Sequence, residues 1–277
     1  MAVNLATKYE KQLATVQTLG SLIAGRTNTQ YNWDGTQSIW VLTPTTQALV
    51  DYTRSGSNRY GTPAELQDTK QTLTLTKDKA FSITVDKGNN SDQQHAKQRG
   101  VVVKAQIEEQ VVPYWDTNAF TVWGASTNTC TAVATLDEDN VMDIIIEARK
   151  KLVDQKFPVN IQDCTAYVTT DMYAFLLKNP LFMGIETLAK NMITKGVVGK
   201  SQGFLIKEVP SGYFGTGIHA IFTHRKAVIA VNKLKELHMH TNPPGINGDL
   251  IEGRYYGDAF ILTAYDKGVV VSKNADN

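Results

Sequence analysis

Residues 91–124, SDQQHAKQRGVVVKAQIEEQVVPYWDTNAFTVWG, carry the longest helical pattern in the chain, and the other segments have to be arranged along it. Ser91, followed three residues later by Gln94, is the reciprocal capping pattern in which the hydroxyl accepts an early orphan N–H and the amide reaches back, so it marks the start. Ala96, Gly100, Val103, Ile107, Val111 and Tyr114 recur at three- and four-residue steps and share one face, while Lys97, Lys104, Glu108 and Gln110 fall elsewhere. Lys104 and Glu108 are four apart, close enough to pair. At a rise of ~1.5 Å per residue the stretch would span roughly 50 Å, which is long for a globular domain. Pro113 removes one backbone donor and crowds the carbonyl of Glu109, so a bend or an early end is expected there.

With 277 residues, 42% of them hydrophobic, the chain can bury a real core and is sized for one large domain or two smaller ones. Lys and Arg total 28 against 27 Asp and Glu, a net charge of +1, so no global basic field draws it to nucleic acid or to an anionic membrane. Cys130 and Cys164 are the only cysteines, too few for a disulfide framework, which points to a reducing compartment. Lys8, Glu10 and Lys11 interrupt what would be the apolar core of a signal peptide, and no apolar run approaches ~18 residues, so a soluble, unexported chain is expected. Leu5, Tyr9, Leu13, Val16, Leu22 and Ile23 recur at roughly helical spacing within residues 1–26. That segment has no partner surface nearby in sequence, so it is expected to dock on something folded later or on another chain.

Ser38 to Val50 is rich in residues that suit an extended strand, with Pro44 suggesting an edge or an irregularity. Residues 51–68, DYTRSGSNRYGTPAELQD, then carry Gly, Pro, Arg54 and Arg59 without periodicity. Loops of this length are functional or disordered. This one has too few apolar residues to offset the ~1 to 2 kcal/mol per residue that fixing a backbone costs, so the isolated chain should leave it mobile. TLTLT at 72–76 and AFSITV at 80–85 alternate strictly, placing Leu73 and Leu75 on one face and Phe81, Ile83 and Val85 on another. The KDK between them suits a tight hairpin, and the region 38–86 reads as a β arm with a polar, arginine-bearing tip. Its exposed strand edges need a cover, which a second copy of the chain would supply.

After the helix, Thr135 and Glu138 form a second capping box, and Val141, Ile144, Ile145, Ala148 and Leu152 mark a helical face ending near Asp154. TAYVT at 165–169 is the next strand, and Thr170 and Asp171 cap a short helix with Met172, Phe175 and Leu176 that stops at Asn179-Pro180. Residues 184–217 read as Gly-rich and weakly structured; from 218 onward β signals return in IHAIFTH, AVIAV, KLKELHMH and the closing stretch. The class is α+β, with strands at the two ends of the chain and helices between.

Motifs for chemistry are sparse. GVVGKS at 196–201 resembles the end of a phosphate-binding loop, with Gly199, Lys200 and Ser201 as the nucleotide contacts, but Thr194 stands where the first Gly belongs and no helix pattern follows Ser201. His238 and His240 share a strand face, yet two imidazoles fall short of a zinc ligand set, and a solvated face accounts for them. Asp137, Glu138 and Asp139 stand at a helix start, where the macrodipole favours negative charge without any active site. No catalytic, cofactor-binding or metal-binding residue is assigned, and none of these patterns requires an enzyme.

The order of parts, and above all DYTRSGSNRYGTPAELQDT at 51–69 and GRYYGDAFILTAYDKGVVV at 253–271, resembles the major capsid proteins of tailed bacteriophages of the Hong Kong 97-type shell fold. The first stretch is similar to the extended loop of a subgroup from phages of Gram-positive hosts, the second to the closing strands of the peripheral domain. The resemblance covers essentially the whole chain and implies an amino-terminal arm at 1–30 and an extended β-hairpin loop at 31–90. It further implies a peripheral domain with the long spine helix at 91–125 and 226–277, and an axial domain at 126–225. Carried onto these residues, it makes Tyr52, Arg54, Arg59, Tyr60, Glu65 and Asp68 in the loop candidates for contacts between subunits, together with Lys97, Lys104, Glu108 and Glu109 on the spine helix. The partners it implies are further copies, as hexamers and pentamers in an icosahedral virion shell assembled in the host cytoplasm. A separate scaffolding protein, a portal and double-stranded DNA held by weak non-specific contact complete them, with no membrane and no cofactor. Members that crosslink need a Lys in the loop; Lys70 is present, but no acidic catalyst beside it can be read, and crosslinking is not assigned. Within the same fold the rival is a nanocompartment shell like the encapsulins; outside it, a nucleotide-binding enzyme.

Overall fold

The computed structural model describes residues 20–33, 36–87, 99–179 and 197–274. The spine runs through α1 (Arg99–Gln106), a π turn (Ile107–Val111) and α2 (Val112–Gly124) without a break. The predicted start at Ser91 and Gln94, together with Ala96 and Lys97, lies outside the described residues. Pro113 does not end the helix. It stands in the first turn of α2, and the wide turn before it closes with Val112 N–H donating to Ile107 O, so the helix passes the proline. The extra residue also rotates the buried face. Val103 is buried before it, whereas Asp116, Ala119, Phe120, Trp123 and Gly124 are the buried set after it.

One lobe is a five-stranded sheet in the order β10-β7-β4-β6-β5. These strands are β4 (Cys164–Thr169), β5 (Val197–Ser201), β6 (Phe204–Val209), β7 (Ile218–His224) and β10 (Val269–Lys273). Period-two alternation divides the sheet between two cores. Cys164, Ala166, Val168, Phe204, Ile206, Phe222 and Val270 face α3 (Asn140–Asp154) and α4 (Thr170–Lys178), while Tyr167, Val209, Ile221, Val269 and Val271 face Phe120 and Trp123 of α2. The predicted face of α3, from Val141 to Leu152, is buried as expected. Its cap is not Thr135 with Glu138: Asp137 Oδ1 accepts the N–H of Asp139 and of Asn140 at 3.0 and 2.8 Å, and Asn140 Oδ1 accepts that of Asp137 at 3.0 Å. The cap of α4 differs too, one residue earlier than read, since Thr169 Oγ1 accepts the Met172 N–H. Residues 197–209, read as weakly structured, form the β5–β6 pair instead. Cys130 and Cys164 are free and buried, and burial pushes their thiols up to about 12 and about 11.

The second sheet has the order β3-β9-β8, from β3 (Lys77–Asp86), β8 (Val228–Thr241) and β9 (Gly248–Ile261). AVIAV and KLKELHMH are one strand carried through a bulge between Asn232 and Leu234, opposite Gly257, where a Cβ would stand 2.0 Å from the Val231 carbonyl. Val85 and Ile251 of this sheet pack on Val103 of α1. The third sheet is a ribbon of β1 (Ser38–Pro44) and β2 (Asp68–Thr74). The expected hairpin across KDK does not form: β2 pairs back with β1, and β3 pairs with β9, far along the chain. Asp258 of β9 pins the divergence point, accepting the Thr76 N–H at 3.1 Å and its hydroxyl at 2.6 Å. The first strand also stops at Pro44 rather than Val50, because a proline cannot extend the ladder. Among the described residues no helix is long and apolar enough to cross a membrane.

Candidate functional site

The arm begins as a ribbon whose inner face is well held. Val41, Leu73 and Leu75 are buried with Trp33, Ile229 and Leu262. On the outer face Trp40 is 68% exposed, with the Lys70 ammonium 3.2 Å above its ring. Beyond Thr45, whose N–H donates to Gln67 O, the tip runs through residues 46–66 without helix or strand. It is nevertheless folded on itself: Thr53 N–H donates to Arg59 O at 3.1 Å, Gly61 N–H to Asn58 O at 2.9 Å, and Arg59 Nε to Gly56 O at 3.2 Å. The Tyr52 and Tyr60 rings meet edge-on at 5.0 Å. Gly61, at φ +83°, sits where a Cβ would press on Val50.

The predicted loop residues therefore share one projecting feature. Tyr52, Arg54, Arg59, Tyr60 and Glu65 lie on the exposed tip, and Asp68 starts β2 opposite Pro44. Among the described residues Arg54, Arg59, Glu65 and Asp68 make no ion pair with a side chain of their own chain. Leu42, Leu49, Val50 and Leu66 stand out to solvent beside them, and Tyr60 is 85% exposed. Such apolar exposure on one projection is unusual for a monomer. The polar composition of the loop hid these apolar residues; the alternation of Trp40 and Leu42 about inward Val41 was the one readable signal.

On the spine, Lys104 and Glu108 approach to 3.8 Å on the exposed face, and Glu109 belongs to the π turn. They are distant in the chain from the tip. Lys97 lies outside the described residues.

A second constellation was not read from the sequence. Asp116, 1% exposed in α2, accepts the Leu22 N–H at 2.7 Å and the Ser21 hydroxyl at 2.9 Å, while Lys207 of β6 donates to Leu22 O. Leu22 and Ile23 are buried against Phe120 and Trp123, so the expected docking of residues 22 and 23 is onto their own chain. Arg26 Nη1 donates to the carbonyls of Ile161 and Gln162, and Asn28 N–H to Val228 O. Burial pushes the Asp116 carboxyl up, against the pull of its two hydrogen bonds and of Lys207, and pushes the Lys207 ammonium down.

The motifs considered for chemistry are absorbed elsewhere. Gly199, Lys200 and Ser201 lie in β5, paired with Ile206, Leu205 and Phe204, so their backbone serves a ladder and no helix N-terminus follows. His238 and His240 stand on an exposed strand, their rings 6.3 Å apart; Glu252 lies 3.5 Å from His240 and Glu236 lies 4.0 Å from His238. Among the described residues no three metal-capable side chains converge.

No family model matches the sequence, and no curated protein matches it. Solved structures do. A chain from Mycobacterium phage Che8 superposes with a TM-score of 0.70 at 18% identity, covering 98% of both chains. A chain of the mature capsid of bacteriophage PhiM1 gives 0.70 at 14% identity, covering 99% of this chain and 93% of that one. One from the head of Helicobacter pylori bacteriophage KHP40 gives 0.68 at 12%, covering 98% and 95%. The fold is thus that of phage shell proteins over nearly the whole chain, the Hong Kong 97-type α+β fold expected above.

Proposed function

We propose that this chain is the major capsid protein of a tailed bacteriophage, many copies of which close into an icosahedral shell around double-stranded DNA. The observation that carries the reading is the match in fold to phage capsid chains over 98–99% of this chain, arm included. In this reading residues 1–30 are the amino-terminal arm, 31–90 the extended loop, 91–125 and 226–277 the peripheral domain with its spine, and 126–225 the axial domain. β10 pairs with β7, so the carboxyl-terminal return reaches the five-stranded sheet.

The shell is built from hexamers and pentamers, and the chain performs no catalytic step. Tyr52, Arg54, Arg59, Tyr60, Glu65 and Asp68 clasp a neighbouring subunit, with Lys104, Glu108, Glu109 and Lys97 contributing from the spine. The tip's charges, which make no ion pair among the described residues, and its exposed apolar side chains support this, because a neighbouring surface would complete both. A separate scaffolding protein and a portal act in the host cytoplasm, and the packaged DNA is held only weakly, a reading that the net charge of +1 supports.

Negative-stain microscopy of the purified chain tests the reading. Hollow shells or capsomer rings are expected, and particles recovered from infected cells should contain nuclease-protected DNA. A chain that stays monomeric under conditions that assemble such shells sinks the proposal; particles filled with a protein cargo and free of DNA would move it to the nanocompartment.

A further inference from the structure

Three loops converge beside the five-stranded sheet and enclose a cleft of about 510 Å³. One follows α3 and brings Lys156, Phe157 and Pro158; one joins β7 to β8 and brings Lys226; the third, between β9 and β10, brings Tyr265, Asp266 and Lys267. Lys156 holds a left-handed backbone at φ +64°, a position that helix ends usually give to Gly or Asn. None of the three lysine ammonium groups is paired with a carboxylate among the described residues. Asp266 is the carboxylate of the lining, and its Oδ1 accepts the Lys267 N–H at 2.6 Å.

The walls are aromatic. Phe157 meets Tyr265 at 6.3 Å and buried His224 at 5.3 Å between ring centroids, and Tyr265 stays 38% exposed. His224 Nδ1 accepts the Lys226 N–H at 3.3 Å, which leaves the ring proton of the neutral imidazole on Nε2, where it has no partner. Burial holds this imidazole below its ordinary pKa, with nearby Asp163 opposing and Lys226 assisting, so the positive charge of the cleft comes from its lysines. A chain with a net charge of +1 thus gathers three unpaired cations around exposed aromatic surface. Cations beside stacking surface are the recognition chemistry of a nucleic acid strand.

We propose that this cleft binds phosphate, as the sugar–phosphate backbone of a nucleic acid, with Lys156, Lys226 and Lys267 on the phosphates and Tyr265 against a base. It goes beyond the shell reading, since a base free to lie against Tyr265 belongs to a single strand and not to the packaged duplex, and rests on that reading only for where such a ligand is met.

The test uses the full unassembled chain, fluorescence anisotropy, and labelled single-stranded and duplex oligonucleotides of about fifteen nucleotides, between roughly 50 and 200 mM salt. With three phosphates neutralised, the plot of log affinity against log salt for the single strand should have a slope of about −2. Lys156→Ala, Lys226→Ala and Lys267→Ala together should weaken binding at least about tenfold and flatten the slope, each single change removing about 0.7 of it. Lys233→Ala with Lys235→Ala, on β8, should leave binding unchanged. Tyr265→Ala should weaken the single strand more than the duplex. Wild-type binding by the triple variant, or loss from the β8 pair as large as from the cleft, overturns the site. Millimolar inorganic phosphate that displaces the oligonucleotide with no preference for the polymer overturns the nucleic acid in favour of free phosphate. Failure of the wild-type chain to assemble would count against the shell reading alone, since binding is read on the free subunit.

Discussion

Two stretches without helix or strand meet opposite fates. Residues 20–28 lie across the body, with Leu22, Ile23, Thr27 and Asn28 buried and their backbone answered by Asp116, Lys207, Arg225 and Val228. Residues 46–66 project from a ribbon, answer only part of their own backbone, and turn Leu49, Val50, Tyr60 and Leu66 outward. Irregular backbone is stable wherever its polar groups find partners, and what differs here is who supplies them. The first stretch is finished within the chain; the second has a surface left over.

The largest effect that would sharpen this contrast is in the core on which residues 20–28 rest. Trp123 is fully buried against Phe120 and Tyr167, so Trp123→Ala should cost about 3 to 5 kcal/mol of subunit stability in urea unfolding. Tyr60→Ala, an equally drastic truncation at the tip, should stay within about 0.5 kcal/mol. Equal losses at the two sites would break the comparison.

Next in size is the clamp itself. Asp116→Ala leaves the Leu22 N–H, the Ser21 hydroxyl and the Lys207 ammonium without their acceptor or counter-charge, and about 2 to 4 kcal/mol should be lost. Limited proteolysis should then cut within residues 20–28 first. Unchanged resistance there would mean that Leu22 and Ile23 hold the segment by apolar contact alone.

A smaller effect follows from the Asp116 proton. Burial raises its folded pKa above the unfolded value, so the native state binds that proton more tightly. The contribution is complete below the unfolded pKa and is lost as pH rises through the folded one. Asp116→Asn, fixed in the neutral form, should remove this component, so the difference in melting temperature between the variant and the parent should change as pH rises from the ordinary carboxylate range through the raised pKa. A difference constant with pH would show that burial does not govern the group.

What the sequence made legible were elements whose signal is local. The five-residue run TAYVT and the α3 face from Val141 to Leu152 announce themselves by period, and the arm by alternation followed by a break in composition. What stayed hidden depends on distant partners. β3 reads as the second half of a hairpin with β2 until Gly253 is seen under the Phe81 ring, where a Cβ would come within 2.4 Å, and that glycine is some 170 residues away by the numbering. Asp116 reads as a polar interruption on an apolar helix, because its partners, Ser21, Leu22 and Lys207, lie at opposite ends of the chain. The π turn leaves a trace only afterwards: the step from Tyr114 to Asp116 shifts the buried face. Of the candidate contact residues, those on the tip were recognisable as one group by sequence proximity, whereas nothing local joins them to Lys104 and Glu108.

The smallest expected effect on the subunit is the most informative about the arm. Arg59 donates Nε to Gly56 O, an exposed bond within the tip, and has no carboxylate partner among the described residues. Arg59→Glu should therefore change the melting temperature of the free subunit hardly at all, within the range of about 0.5 kcal/mol usual for exposed positions. In a shell the same side chain is repeated around every ring, so a charge reversal that costs little once is multiplied by the number of interfaces. A planar donor lost against a carboxylate also becomes a like-charge contact. Light scattering and microscopy should then show assembly slowed or abolished, while circular dichroism of the subunit stays as in the parent. Loss of subunit stability as large as the loss of assembly would place Arg59 in the fold of its own chain. Normal assembly would mean that the exposed apolar residues, not the charges, make the clasp, and Leu49→Asp would then be the variant that separates shells from subunits.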